Sequence, residues 1–289
     1  MRPAMDRFER VRIGRPYSRR EGWDDLRYYP VRVFAGDRLA EQFEAPSVTT
    51  VLGLSVPKPG LVHWAAKVER ELVLDTMRRV IDDMIRAGIR SSGGSGGEFV
   101  RKLVADRLGD KYAHRMKLHA AGEIGTEIHR WIDWHHLRTL DQPVGKEPPT
   151  SIEAMNAVSA YLDLEAQLAI RPIGTEERVA SPGLRIAGTI DTRAWVRHPE
   201  RGDVRALIDY KSGKEIYDEA LQQVGAYALA HNELCALHDE AATSEVGLII
   251  RLPKVVGDPL PDFRWIDDLP AQGERFIASL GQFYSLRGL

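Results

Sequence analysis

Gly188-Thr189-Ile190-Asp191, then Leu207-Ile208-Asp209-Tyr210-Lys211, then Gln222-Gln223-Val224-Gly225-Ala226-Tyr227 is the stretch on which the reading of this chain turns. The first two segments lie in short runs rich in Val, Ile and Leu, 184–197 and 204–211. Pro199-Glu200-Arg201-Gly202-Asp203 between them is a turn signal, so they predict two strands of a hairpin. Side chains alternate faces along a strand, which puts Asp209 and Lys211 on one face and Tyr210 on the other. Ala206-Leu207-Ile208 is apolar enough for a central strand, bringing carboxylate and ammonium side by side to the sheet's edge or to a cleft at its end. Asp191 ends the preceding strand, so Asp191 and Asp209 can converge on one hard cation.

Two carboxylates with an open coordination sphere suit Mg²⁺, which prefers oxygen ligands and keeps several waters. A metal there can polarise a phosphoryl oxygen and bind an attacking water. Lys211, its pKa lowered by burial and the metal, can take the water's proton or orient the water, and it can also stabilise charge on a phosphate. Each piece alone has a plainer reading. Asp-x-Lys on a strand is a common surface ion pair, and Gly188 can be a bulge glycine.

Outward from this stretch, residues 176–180 and 245–251 read as further strands, with Pro182-Gly183 as a turn and one helix over about 217–238. A helix from Ile152 to Leu168 precedes them, after a gap marked by Pro143, Pro148 and Pro149. The order helix, three strands, helix, strand describes an α/β layer in which antiparallel hairpins feed a mixed sheet. Upstream, apolar residues at helical spacing predict helices over about 61–87 and 101–137, the second broken near Gly109-Asp110. Ser47 is placed to cap a helix beginning at Val48. The expected division is an Arg-rich leader over 1–45 with one short strand at Tyr28–Phe34, a helical portion over 46–115, and a core over 116–289.

Ser91-Ser92-Gly93-Gly94-Ser95-Gly96-Gly97 reads as a flexible loop. Gly93, Ser95 and Gly97 match G-x-S-x-G, but the nucleophile elbow needs a buried apolar strand before it, and Arg86-Ala87-Gly88-Ile89-Arg90 is none.

Lys plus Arg number 40 against 42 for Asp plus Glu, so a wholesale polycation is excluded and any nucleic-acid surface must be a local stripe. Ten arginines against six acids between Met1 and Arg38 give the leader an excess of four positive charges, either a basic arm or a solvated terminus. The one cysteine, Cys235, excludes an intramolecular disulfide and any multi-cysteine zinc or iron–sulfur site. No apolar run approaches the roughly 20 residues of a membrane span. No G-x-x-x-x-G-K-[ST] loop occurs, since Gly213-Lys214 and Gly145-Lys146 are each followed by Glu, so no ATP site is expected.

In their order and spacing, Gly188-x-x-Asp191, Asp209-x-Lys211 and Gln223-x-x-x-Tyr227 resemble the RecB-like branch of the PD-(D/E)XK nuclease superfamily. The resemblance extends to Gly125-Thr126-Glu127-Ile128-His129, similar to that branch's G-x-x-x-H helix, and to Glu176 with Val179, similar to its E-x-x-V strand. Ser47-Val48-Thr49-Thr50-Val51-Leu52 with Trp64 downstream is similar to the opening of viral and mitochondrial genome-maintenance exonucleases of the branch. It covers about residues 46–251 and implies a restriction-endonuclease-like core.

The resemblance implies metal ligation by His129, Asp191 and Asp209, with the Tyr210 backbone carbonyl as a further ligand and Glu176 beside the site or on a second ion. Lys211 is then the catalytic lysine. Gln223 supports it or the scissile phosphate, and Tyr227 acts by packing or phosphate contact; Gln222 competes with Gln223, but only Gln223 has the four-residue step to Tyr227. A helical histidine such as His129 is also a common packing residue, and with Asp133 it has a spacing that suits zinc. Arg185 and Arg193, on hairpin strands near the site, are expected backbone contacts for DNA. The implied activity is a Mg²⁺- or Mn²⁺-dependent deoxyribonuclease, an exonuclease leaving 5′-phosphate and 3′-hydroxyl ends in recombination, replication or repair, without iron–sulfur cluster or ATP. A structure-specific or single-strand endonuclease and a catalytically silent DNA-binding protein of the same fold are the alternatives. DNA, a recombination or helicase partner, no membrane, and the cytoplasm of a bacterial or phage-infected cell before the mitochondrion complete the expectation.

Overall fold

The computed structural model describes residues 10–21, 24–89, 96–109, 112–238, 244–254 and 260–288. It divides into two compact units, one formed by the chain up to Pro57 together with Ile124 onward, the other by Lys58–Glu123.

The first unit is α/β. Its main sheet runs β5(Arg171–Ser181), β6(Ile186–His198), β7(Gly202–Lys211), β8(Val246–Arg251) and β9(Asp262–Ile266) side by side. β5–β6, β6–β7 and β8–β9 are antiparallel, while β7 and β8 are parallel and joined through α6(Asp218–Leu237), as a parallel pair requires a crossover. Every residue of β8 is buried, the mark of a central strand covered on both faces.

The two sides of the sheet carry separate cores. Against one side pack α1(Val48–Ser55), α6 and α7(Leu269–Arg287), through Val51, Val224 and Phe276 among others. Against the other pack α5(Ile152–Leu168) and the C-terminal part of α4(Ala113–Thr139), through Ile128, Ile132 and Tyr161. Strand alternation sorts β7 between them, with Leu207 in the first core and Ala206, Ile208 and Tyr210 in the second. The α5 boundaries match the sequence expectation; Ser151 accepts a hydrogen bond from the Ala154 amide, and Ala169 closes the helix in a left-handed conformation at φ 49°.

The leader is more structured than one strand. β1(Val11–Ile13), β2(Tyr17–Glu21), β3(Asp24–Ala35) and β4(Arg38–Pro46) form an antiparallel sheet organised on β3, which pairs with the other three. Charged residues interrupt the alternation on its exposed side, which hides the strands from a reading by periodicity. The expected boundary at residue 46 also shifts, because Val48, Val51 and Leu52 of α1 are buried with the α/β core. Ser47 forms a parallel bridge with Ala187 of β6. β9 and α7, not anticipated from the sequence, complete the sheet edge and one helical layer.

The second unit holds α2(Pro59–Arg86), α3(Gly96–Leu108) and the start of α4. Its small core is Val80, Met84 and Val104, flanked by Val100, Leu103 and Leu108. Arg107 pairs with Asp83 at 2.7 Å, and Glu69 accepts from the His114 amide at 3.1 Å. The Gly93 and Ser95 of the G-x-S-x-G match lie outside the described residues. Among the described residues, no helix is long and apolar enough to cross a membrane.

Candidate metal and phosphate site

The site forms where two strands part. β6 and β7 pair from His198↔Gly202 to Thr192↔Ile208, and the ladder stops there. One step further, the side chain of Asp191 replaces a backbone acceptor: its Oδ2 receives the Tyr210 amide at 2.8 Å. The carboxylate is thereby fixed at the mouth of the split, and the backbone donor it satisfies belongs to the residue between Asp209 and Lys211.

His129 of α4 and Glu176 of β5 complete a cluster with Asp191 in which one ligand atom from each lies within 4.8 Å of the others. His129 Nδ1 is 3.5 Å from Asp191 Oδ1, and its Nε2 is 3.2 Å from the Tyr210 carbonyl oxygen. Glu176 stands opposite the Asp191 position on the neighbouring strand with φ 49°, a left-handed conformation uncommon outside glycine and its polar mimics and concentrated at functional sites. Asp133, the other half of the zinc spacing, accepts from Thr175 Oγ1 at 2.9 Å and is outside the cluster.

Asp209 sits deeper, 1% exposed, and is outside the tight cluster. Its Oδ1 accepts from Lys211 Nζ at 3.1 Å and from Gln223 Nε2 at 2.8 Å. Lys211 Nζ also comes within 2.8 Å of Oδ2, but not along a hydrogen-bonding direction, so Oδ2 is buried with no hydrogen bond among the described residues. The Lys211 ammonium at 2.8 Å is the charge that offsets the burial of this oxygen.

Gln223 is the hub of this inner layer, accepting from Lys211 Nζ at 3.0 Å and donating to Asp209 and to the Tyr227 hydroxyl at 3.0 Å. The choice between the two glutamines is settled by position: Gln222 accepts from Ser279 of α7 at 2.8 Å, on another face of α6. Tyr227 is buried and ties Gln223 down. Its ring explains Gly188, where an added Cβ meets Tyr227 Cε1 at 2.4 Å. The glycine is there for close approach and not for a bulge.

Charges in the site are strongly coupled. For His129, burial favours the neutral ring, but the charge and hydrogen bond of Asp191 and the charges of Glu176 and Asp209 outweigh it, and the imidazole pKa rises to about 9. Desolvation and the Asp191 charge push Glu176 up to about 7, against His129 and Arg27. Burial raises Asp209 to about 6, with Lys211 opposing and Asp191 reinforcing. Asp191 is also buried, yet His129, Lys211 and the Tyr210 amide hold its carboxyl below the usual range. This concentration of coupled acids and one imidazole is what a cation relieves by displacing protons. The donors are carboxylate and carbonyl oxygens with one imidazole, a hard set suited to Mg²⁺ or Mn²⁺.

Burial acts to lower the Lys211 pKa, but the adjacent Asp209 and Asp191 carboxylates outweigh it and raise it. The arginines separate as well. Arg193 is 4% exposed and its guanidinium is paired to Glu177, so it does not face solvent as a DNA contact would. Arg185 is half exposed, pairs with Glu41 and lies 4.7 Å over the Phe43 ring.

A buried polar chain behind the site gave no signal in the sequence motifs. His136, fully buried, is 2.5 Å from the Tyr161 hydroxyl and 3.1 Å from Thr192 Oγ1, and Tyr161 donates to Glu165 at 2.9 Å. Its residues come from α4, α5 and β6, too far apart in sequence for spacing to join them. No protein-family model matches the chain, and no curated protein matches it.

Proposed function

We propose that this chain is a metal-dependent deoxyribonuclease with a restriction-endonuclease-like core, acting as an exonuclease that leaves 5′-phosphate and 3′-hydroxyl ends. The observation that carries the reading is the convergence of Asp191, Asp209, Lys211 and Gln223 with His129 and Glu176 at the point where β6 and β7 part. His129, Glu176 and Asp191 would hold a Mg²⁺ or Mn²⁺ ion, with the Tyr210 carbonyl, 3.2 Å from His129 Nε2, and the deeper Asp209 as the further ligands that the resemblance implies. Bound there, the ion supplies Lewis-acid charge to the scissile phosphate and acidifies a water.

The protein's own groups do the rest. Lys211, kept cationic by Asp209, stabilises the negative charge that grows on the phosphate during in-line attack. Gln223, anchored by Tyr227, fixes the ammonium and the Asp209 carboxylate relative to each other. The Tyr210 amide orients Asp191, so the strand itself sets the ligand geometry. The proposed setting is recombination, replication or repair, with DNA as the substrate.

The test is incubation of the purified protein with end-labelled linear and covalently closed DNA, single- and double-stranded, with Mg²⁺, Mn²⁺ or EDTA. Metal-dependent loss of linear DNA alone is expected, falling at least about 100-fold in Lys211→Ala. Cutting of closed circles makes the protein an endonuclease. Wild type and variant equally inert, with DNA still shifted in a gel, make it a binding protein and overturn the catalytic reading.

A further inference from the structure

The groove between β3 and α1 lies outside the metal cluster and is absorbed by none of the motifs' roles. It is a solvent-open cavity of about 280 Å³, lined by Asp25, Leu26, Arg27, Thr49, Thr50 and Gly53 with Leu54. That is just below the roughly 300 Å³ at which small-molecule pockets begin, a size that fits one sugar and phosphate.

We infer that this groove is a subsite for a backbone phosphate of the nucleic-acid strand whose cleavage is proposed above, with Arg27 as the residue that holds it. The inference rests on the nuclease reading and adds to it where the strand runs. Three observations carry it. First, Arg27 lines the groove, is exposed, and among the described residues its guanidinium has no ion-pair partner. A guanidinium at the wall of such a groove can hold one phosphate of a strand whose scissile phosphate sits at the metal.

Second, the backbone of Arg27 is clamped. Its amide donates to Thr50 Oγ1 at 3.0 Å, and its carbonyl accepts from the Ser47 amide at 2.9 Å. Such anchoring limits the entropy lost on binding. Third, the wall opposite is made of small groups. Thr49 and Gly53 lie one turn apart on the groove side of α1, and a Cβ added at Gly53 meets nothing within 4 Å. Asp25, the one acid of the lining, lies opposite Arg20 in the β2–β3 register. Thr50 has its amide already taken by Ser47 Oγ at 2.9 Å, so guanidinium and hydroxyls, and not a bare helix end, would make the contacts.

The experiment measures binding of a fluorescein-labelled single-stranded oligonucleotide by anisotropy in EDTA, and cleavage of the same oligonucleotide in Mn²⁺, for wild type, Arg27→Ala, Arg27→Lys and Gly53→Leu. Gly53→Leu fills the groove without altering charge and improves helix propensity, so circular dichroism should show it folded. Both Arg27→Ala and Gly53→Leu should weaken binding and raise KM about tenfold with kcat changed less than threefold, and Arg27→Lys should recover part of the loss. The slope of log affinity against log salt should fall by about 0.7 in Arg27→Ala and stay unchanged in Gly53→Leu. Wild-type affinity in Gly53→Leu, or in both variants, overturns the subsite even where cleavage proceeds. A wild type that binds and fails to cut, with both variants weakened, sinks the nuclease reading and leaves the subsite standing.

Discussion

The central helix of the α/β unit and the long helix of the second unit make opposite use of their residues. α6 buries 12 of its 20 residues, against the sheet on one side and α7 on the other. α2 is longer, 28 residues, and buries Val68, Val80 and Met84 alone, leaving Leu74, Met77, Ile81 and Ile85 exposed. Helix propensity and pairs such as Asp75 with Arg79 at 2.6 Å, each worth a few tenths of a kcal/mol, carry more of its order. The difference shows why the candidate chemistry sits where it does. Gln223 and Tyr227 are held by contacts on every side, and a site that must place atoms to within a fraction of an ångström needs such over-determination.

The sharpest way to break this comparison is at Gly188. Alanine there puts a methyl against the buried Tyr227 ring, with no solvent-facing end to swing aside. Gly188→Ala should cost roughly 1–3 kcal/mol in denaturant melts and, by freeing Gln223, at least about tenfold in cleavage. Adding Tyr227→Leu should return stability without returning activity. Full activity in Gly188→Ala would show that the anchoring of Gln223 is dispensable.

A second, smaller effect lies behind the sheet. Burial depresses the His136 pKa to about 4, against the Glu165 charge and with that of His135. A base with a lowered folded pKa leaves the unfolded chain binding the extra proton, so His136 contributes stability fully present above about 6.5 and lost as pH falls toward about 4, by up to roughly 3 kcal/mol. Glu176 and Asp209, with raised pKa values, act in the opposite direction over about 7 to 4. The readout is therefore the variant against wild type. His136→Gln should lose less stability than wild type between pH 7 and pH 4.5, and equal losses would mean that His136 is not held neutral.

The smallest effects are expected in the second unit. Val80→Ala should cost roughly 1–2 kcal/mol and speed amide exchange across α2 and α3 while β7 and β8 stay protected. Leu74→Ser on the exposed face should change stability by less than about 0.5 kcal/mol. Exchange in α2 as slow as in β7 would erase the contrast between the units.

Much of the site was legible in the residues. Strand period 2 and the hairpin order single out the two carboxylates and the lysine, whatever surrounds them, and Gln223 follows from the resemblance, with the four-residue step to Tyr227 choosing it over Gln222. The leader shows only the strand Tyr28–Phe34 to a reading by periodicity, because the sheet built on β3 is stabilised by pairing partners that periodicity does not register. Glu176 was legible as a motif position, yet its place in the cluster, ahead of Asp209, depends on the left-handed backbone it adopts.

What the sequence alone determined is the set of chemical groups and the order of elements that present them, since these follow from local geometry. Tertiary structure alone decided three things. It set the Lys211 ammonium 2.8 Å from Asp209 and 3.0 Å from Gln223, a residue of a different element. It turned Arg193 inward to Glu177 and left Arg27 facing solvent at the groove between β3 and α1. And it made Gly188 a packing requirement of a tyrosine on a different element. Each depends on which charges and rings stand within a few ångströms, and distance through space is not written in distance along the chain.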